Sequence, residues 1–195
     1  FAQGRSLLLE SNFASGRLAP WTAEGGGWAI NDGVLVCSTH GERQAITAKF
    51  DQKEPVTMEA KVESTVGRFM NCELVVFADS SDGNYGQNSL VARFFSNQFY
   101  LMVVQGGGQN NIANRSTNNV VREGVFRLAY DPGTGKARAW IDNMDLGEYT
   151  VPNKIAQGKI VMFIARHPCR VHYLRVVRGI VPPSSSDEKP DVAAH

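Results

Sequence analysis

Between Val56 and Glu63 the chain alternates without a break between apolar and polar residues: Val56, Met58, Ala60 and Val62 interleave with Thr57, Glu59, Lys61 and Glu63. A period of two is the repeat of an extended strand, in which successive side chains leave on opposite faces. The octet therefore predicts a strand with its first set on a core and its second set in water. Phe126, Leu128 and Tyr130 form another inward set of the same period. Ile160-Val161-Met162-Phe163-Ile164 is apolar on both faces and predicts a central strand covered from each side. No stretch combines a 3.6-residue apolar period with helix caps, so very little helix is expected.

Turn residues punctuate these runs. Asn31-Asp32-Gly33 lies between Trp28-Ala29-Ile30 and Val34-Leu35-Val36, and these residue types tolerate the positive φ that a tight hairpin demands. Asp131-Pro132-Gly133-Thr134-Gly135 separates Arg127–Tyr130 from Lys136–Ile141, and Ser96-Asn97-Gln98 turns Val91–Phe95 back into Phe99–Val104. About a dozen short strands at this spacing predict an all-β, two-sheet antiparallel sandwich. Two polar stretches, Asp79–Ser89 and Gln105–Asn119, read as long loops, which in a compact domain often carry function.

With 195 residues, 43% of them hydrophobic and 20% charged, the chain has material for one full core. Lys and Arg number 20 against 19 Asp and Glu, a net charge of +1 that supplies no field for nucleic acid or an acidic membrane. The longest apolar run, Ile160–Ala165, is far short of the ~20 residues of a membrane span. Cys37, Cys72 and Cys169 are too few for a disulfide scaffold; one bridge fits an oxidising compartment, and sequence does not choose the pair. A single sandwich domain over residues 1–181 is expected. Beyond it, Pro182-Pro183-Ser184-Ser185-Ser186-Asp187-Glu188-Lys189-Pro190 opens a tail through residue 195 that has no apolar period and buries nothing of its own. The expectation is that a partner protein holds this tail. Phe1-Ala2-Gln3, with its small Ala2, fits the surroundings of a secretory cleavage site, so the chain is expected outside the cytoplasm, periplasmic or secreted.

The order of features resembles the concanavalin-A-like lectin/glucanase jelly rolls, in particular the laminin-G-like domains and the domains known as keto-disaccharide hydrolases. Its early part is Phe13-Ala14-Ser15-Gly16, Trp21 and Trp28-Ala29-Ile30-Asn31-Asp32-Gly33-Val34-Leu35. Its later part is Gly124–Tyr130, Ala139-Trp140-Ile141-Asp142-Asn143, Gly158–Phe163 and the closing strand Val171–Val177. These motifs specify hairpins and carry no chemistry of their own. The resemblance implies a two-sheet antiparallel sandwich, often extracytoplasmic, with a frequent role in binding glycans or proteins.

Catalytic jelly rolls of that kind carry three acids on one strand face, and Glu59-Lys61-Glu63 is the nearest approach here, with lysine in the middle place. The outer Cα atoms of an extended strand would be about 13 Å apart at this spacing, so a solvated strand face is the simpler reading. Asp79, Asp82 and Asn84 could offer oxygens to calcium, but the EF-hand spacing fails, with Ala78 and Ser89 at the two acid places around Gly83. His167, Cys169 and His172 have a zinc-like composition, yet on a strand 167 and 169 share a face and 172 points opposite. No G-x-S-x-G elbow, H-E-x-x-H or P-loop is present, and Gly106-Gly107-Gly108 opens no helix. Lys159, Arg166, Arg170, Arg175 and Arg178 form a basic run without an acid; either they gather on one face or they spread over two.

The amide-rich stretches read as simple polar loops, as a protein-docking surface or as a glycan site. Gln105, Gln109, Asn110, Asn111 and Asn114, with Tyr85 and Asn88 from the other long loop, pair donors and acceptors with an aromatic ring, as recognition of a sugar requires. Trp21 and Trp28 are further stacking candidates or core residues. The reading is of a non-catalytic interaction module outside the cytoplasm, an accessory or structural subunit docked on a larger assembly, membrane-bound or free. The alternative is a carbohydrate-binding, lectin-like module using the amide set; a glycoside-acting hydrolase is third. No cofactor beyond the calcium candidates and no nucleic-acid partner are expected.

Overall fold

The alternation read from sequence becomes pleat. In the computed structural model, which describes residues 6–67, 69–82 and 84–184, the chain forms fifteen strands and no helix among those residues. They are β1 (Leu7–Ser11), β2 (Thr22–Glu24), β3 (Trp28–Asn31), β4 (Val34–Cys37), β5 (Gln44–Gln52), β6 (Val56–Ser64), β7 (Asn71–Ala78), β8 (Ser89–Phe95), β9 (Gln98–Gln105), β10 (Gly108–Ser116), β11 (Glu123–Asp131), β12 (Lys136–Ile141), β13 (Met144–Thr150), β14 (Gly158–Ala165) and β15 (Cys169–Arg178). A first sheet runs β13-β12-β11-β6-β15-β4-β3, with β1 added along β15, and a second runs β10-β9-β8-β7-β14-β5-β2. The result is a two-sheet antiparallel β-sandwich. Each sheet has a central strand, β6 in one and β7 in the other.

The inward sets meet between the sheets. Val56, Met58, Ala60 and Val62 pack with Phe126, Leu128 and Tyr130 against Leu74, Phe94, Phe99 and Phe163 of the second sheet. Phe94 lies 4.8 Å from Phe126 between ring centres, and Phe77 meets Tyr130 edge-on at 4.9 Å. A large side chain buried to this degree contributes about 1.5–3 kcal/mol. Trp21 is 3% exposed and belongs to this core, and half-buried Trp28 meets Phe163 edge-on, so neither is a free stacking surface.

The hairpins form where the turn residues stand. Asp32 and Gly33 both take positive φ, 50° and 74°, between β3 and β4, as a tight primed turn requires. Ile160–Ile164 lies inside β14, which sits between β7 and β5 with both faces covered. A bulge at Phe77, φ 56°, is held by the fully buried Gln52: its Oε1 accepts the Phe77 N–H at 2.8 Å and its Nε2 donates to the Ile160 carbonyl at 3.0 Å. Gly158 runs so close beside that bulge that a Cβ would lie 2.3 Å from the Phe77 Cα.

Two expectations need correction. The polar set of Val56–Glu63 does face outward, but Thr57 is 1% and Glu59 4% exposed rather than solvated. The chain beyond β15 is laid over Thr57, whose hydroxyl donates to the Gly179 carbonyl at 2.7 Å and accepts the Val181 N–H at 2.9 Å. Glu59 is covered by its own ionic partners, described below. Secondly, Gln105–Asn119 is not a loop. It turns at Gly106-Gly107 and continues as β10, paired with β9 from Gly108↔Gln105 to Ser116↔Gln98. Apart from Ile112 and Ala113, half-buried against the core, it is polar, as suits the edge strand of a sheet, where polar residues discourage further pairing. The docking role expected of the tail falls on residues that are for the most part, from 185 onward, outside those described.

Candidate functional site

Partners across an antiparallel ladder share a face of the sheet, so the register turns the second sheet's outward side chains into rows. Ile164, Glu73, Arg93, Tyr100 and Asn114 make one row from β14 to β10. Met162, Val75, Val91, Met102 and Asn111 make the next. Gln109 follows beside Val104 in a third. The middle of this face is an apolar floor: Val75, Val91, Met162 and Ile164 are wholly buried, and Tyr85 packs against them. Toward β10 the floor gives way to a half-buried aromatic ring, Tyr100, with exposed amides beyond it.

Glu73 stands on the central strand of this face with no exposure. Arg166 Nε donates to its Oε1 at 2.8 Å, the Tyr85 hydroxyl donates to its Oε2 at 2.8 Å, and Arg93 Nε lies 3.6 Å away. Burial, and then the charge of Glu73, push the Tyr85 phenol up to about 12, so it stays a donor. Burial works against the Arg166 charge, but Glu73 outweighs it and the guanidinium is held more firmly protonated than usual. Arg93 also lies over the Phe95 ring at 5.3 Å, which fixes it beside Tyr100.

The amide set predicted from sequence divides on this scaffold. Gln109, Asn111 and Asn114 are exposed and share the face that carries Tyr100. Asn110 pairs with the inward Val103 and so points the other way. Tyr85 is 4% exposed and spent on Glu73, so it cannot stack on a ligand. Asn88 donates to Asp79 Oδ2 at 2.8 Å, and Gln105 donates to the Pro152 carbonyl at 3.0 Å and to that of Asn153. Both of these amides are engaged. The residue that sequence reasoning missed is Tyr100. Its signal was present: Tyr100, Met102 and Val104 alternate with the inward Phe99, Leu101 and Val103. Glu73 and Arg93 were legible in the same way, as single charges interrupting apolar strands.

The first sheet's outer face carries a second clamp. Glu59 on β6 accepts Arg127 Nε at 2.5 Å on Oε2, and the Tyr173 hydroxyl at 2.6 Å and Arg175 at 2.7 Å on Oε1. A bulge in β15 between Val171 and Tyr173 puts Tyr173 and Arg175 on this face. Next to Arg127 lies a groove of about 370 Å³ lined by Lys61, Glu63, Glu123, Asp142, Asn143 and His172 among others. Glu63 and Glu123 are direct register partners there, and His172 lies 3.5 Å from Glu63.

The remaining candidates are scattered over the fold. Asp79 Oδ1 accepts the Gln87 N–H and its Oδ2 the Asn88 amide, both at 2.8 Å. Burial raises this carboxyl, but those hydrogen bonds outweigh it and hold it below the usual range. Asp82 and Asn84 are exposed nearby, and among the described residues no three His, Cys, Asp or Glu groups gather to hold a metal ion. His167 packs on His40 and Phe69, Cys169 faces the core, and His172 faces Glu63, three different surroundings. The basic run is spread over both sheets: Arg166 pairs with Glu73, Arg175 with Glu59 and Arg178 with Glu54, while Lys159 and Arg170 are exposed. It forms no basic face. No helix among the described residues is long and apolar enough to cross a membrane.

No model of a known protein family matches the chain, and no curated protein matches it in sequence. Solved structures match it in fold. A carbohydrate-binding module, CBM66 from Bacillus subtilis, is 13% identical at a TM-score of 0.62, covering 80% of this chain and 94% of its own. The exoplasmic/lumenal domain of VIP36, in its form bound to Ca2+ and Man3GlcNAc, is 10% identical at 0.66, covering 95% of both chains. An endo-β-1,3-glucanase from Pyrococcus furiosus is 12% identical at 0.64, covering 90% of this chain and 95% of its own. At such identities the likeness shows architecture alone: the chain has the concanavalin-A-like jelly-roll fold.

Proposed function

We propose that this protein is a carbohydrate-binding module that takes a glycan on the outer face of the second sheet, around Tyr100. One observation carries the reading. The half-buried Tyr100 ring stands in register between Arg93 and Asn114, with Asn111 and Gln109 in the adjoining rows. A pyranose offers a C–H face to an aromatic ring and hydroxyls at its rim, and amides both donate to and accept from hydroxyls. The carbohydrate-binding and lectin-like proteins among its structural neighbours support this reading over that of an accessory subunit. A glycan ligand also agrees with action outside the cytoplasm. Electrophoresis of the purified chain through gels containing neutral and acidic soluble polysaccharides tests it. At least one polysaccharide should retard the wild type, and Tyr100→Ala should weaken that retardation by about tenfold, the loss of one stacking contact. Equal mobility of the two in every gel overturns it.

A second reading rests on the groove of the first sheet. Glu63 and Glu123 face one another there across β6 and β11, and glycoside hydrolysis uses two facing carboxyl groups. Release of reducing sugar that disappears in Glu63→Gln and in Glu123→Gln would establish that reading.

A further inference from the structure

Cys37 on β4 and Cys169 on β15 are direct partners across an antiparallel ladder. Both belong to the core, each is 1% exposed, and both are free thiols. Opposed residues in such a ladder have Cα atoms about 4.5 or 5.5 Å apart, and either spacing suits a disulfide, whose usual range is about 4.4–6.8 Å. Cys72, the third free thiol, is on β7 of the other sheet and is completely buried.

We propose that Cys37 and Cys169 form an intramolecular cross-strand disulfide when the protein meets a low-molecular-weight disulfide such as oxidised glutathione, while Cys72 stays reduced. The place has a structural use. β4 pairs with β15 through only Cys169↔Cys37, Arg170↔Val36 and Val171↔Leu35, and β3 hangs on β4 at the end of the sheet. A bond at the first of these pairs clips the β3–β4 hairpin to β15 where its ladder is shortest. The long loop it closes restricts the unfolded chain.

The two thiols are unequal. The hydrogen bond from Cys169 brings the Cys37 thiol down to about 6 against the effect of burial, with further help from Thr39, whose Oγ1 lies 3.5 Å from the sulfur. The same bond and burial push Cys169 well up. Cys37 is therefore the thiolate that attacks. Its sulfur faces the core, and Cys169↔Cys37 is the terminal pair of a three-pair ladder, so a small disulfide reaches it when that end of the ladder opens. Its thiolate bonds to one sulfur of the small disulfide and expels the other as a thiolate. Cys169 then loses its proton to that released thiolate and attacks the Cys37 sulfur, expelling the second small thiolate, which takes its proton from solvent. Two protein thiols are oxidised by two electrons in all, and one small disulfide is reduced to two thiols.

The test equilibrates the full chain in glutathione buffers from reducing to oxidising at neutral pH. Free thiols are then capped in denaturant and peptides are mapped without reduction. The expected product is lighter by two hydrogen atoms, links the Cys37 and Cys169 peptides, carries its cap on Cys72, and unfolds at a higher temperature than the reduced form. Cys72→Ala should keep the link, and Cys37→Ala and Cys169→Ala should each lose it. Capping of all three thiols in the most oxidising buffer, a link that includes Cys72, or glutathione adducts as the end product would overturn the proposal. The wild-type peptide map decides by itself if a variant fails to fold.

Discussion

Glu59 and Glu73 occupy matching places: each is on the central strand of its sheet, points outward, and is held by two arginines and a tyrosine. The surroundings differ. Around Glu73 the floor is apolar and the acid has no exposure, while its arginines reach in from the rim with side chains 21% and 32% exposed. Around Glu59 an arginine is entombed with the acid: Arg127 is 2% exposed, with its Nε on Glu59 and its Nη1 donating to the Asp142 carbonyl at 3.1 Å. Arg175, at 25%, is the partner that meets water there. What a buried ion pair contributes is read from what is left behind when it is broken, because an uncompensated buried charge is the expensive product. The two clamps should therefore fail in opposite ways.

Glu59→Gln takes the carboxylate from the Nε of an arginine that is itself 2% exposed, and should destabilise by about 3–5 kcal/mol in urea unfolding. Glu73→Gln leaves arginines that can turn to water, and about 1–2 kcal/mol is expected. Removing the cation reverses the order within the second clamp: Arg166→Met leaves Glu73 buried with Arg93 at 3.6 Å as its remaining ionic partner, and should cost about 3 kcal/mol. Equal losses for the two glutamine variants would break the comparison. A greater loss for Glu73→Gln than for Arg166→Met would show that the rim arginines are less free than their exposure indicates.

Alkaline titration sharpens it. Burial and Glu73 raise the Tyr85 phenol to about 12 in the folded protein, against about 10 in an unfolded chain. Between those values the folded state holds a proton that the unfolded state has released, so stability is complete below pH 10 and falls as pH rises toward 12. Tyr173, raised by burial and by Glu59, adds to the same decline. Tyr85→Phe should cost about 1 kcal/mol at neutral pH, from the lost hydrogen bond to Glu73, and should flatten the decline above pH 10. An unchanged slope in urea midpoints between pH 9.5 and 11.5 would mean that Tyr85 is not held as described.

The clamps also show what was legible in sequence. Period and turn chemistry were sufficient for the sandwich, since alternation is a property of one strand and Asn-Asp-Gly needs no distant partner. The outward face was harder. Thr57 and Glu59 occupy polar places in a perfect alternation, and only the return of the chain at Gly179–Val181 and the arginines of β11 and β15 bury them. Long-range pairings of this kind leave no trace in a local period. The amide site divided for the same reason. Gln109, Asn111 and Asn114 kept a common face because they lie on one strand with a bulge between Asn111 and Ala113, whereas Asn88 and Gln105 were taken up by Asp79 and by the Pro152 and Asn153 carbonyls. β10 has no apolar alternation to detect, since its only apolar residues, Ile112 and Ala113, are adjacent at its bulge.

The smallest effects on stability separate binding from support. Asn114 and Glu123 are exposed, one on each outer face, and substitutions at such places usually change stability by less than about 0.5 kcal/mol. Asn114→Ala and Glu123→Gln should both unfold in urea as the wild type does. Retardation by polysaccharide should then distinguish them: Asn114→Ala weakens it by a few-fold, the loss of one or two hydrogen bonds to a hydroxyl, and Glu123→Gln leaves it unchanged. If Glu123→Gln is instead the variant that loses retardation, the glycan lies in the groove beside Arg127, and the second sheet's buried clamp is a structural peg that holds Tyr85 and its loop down.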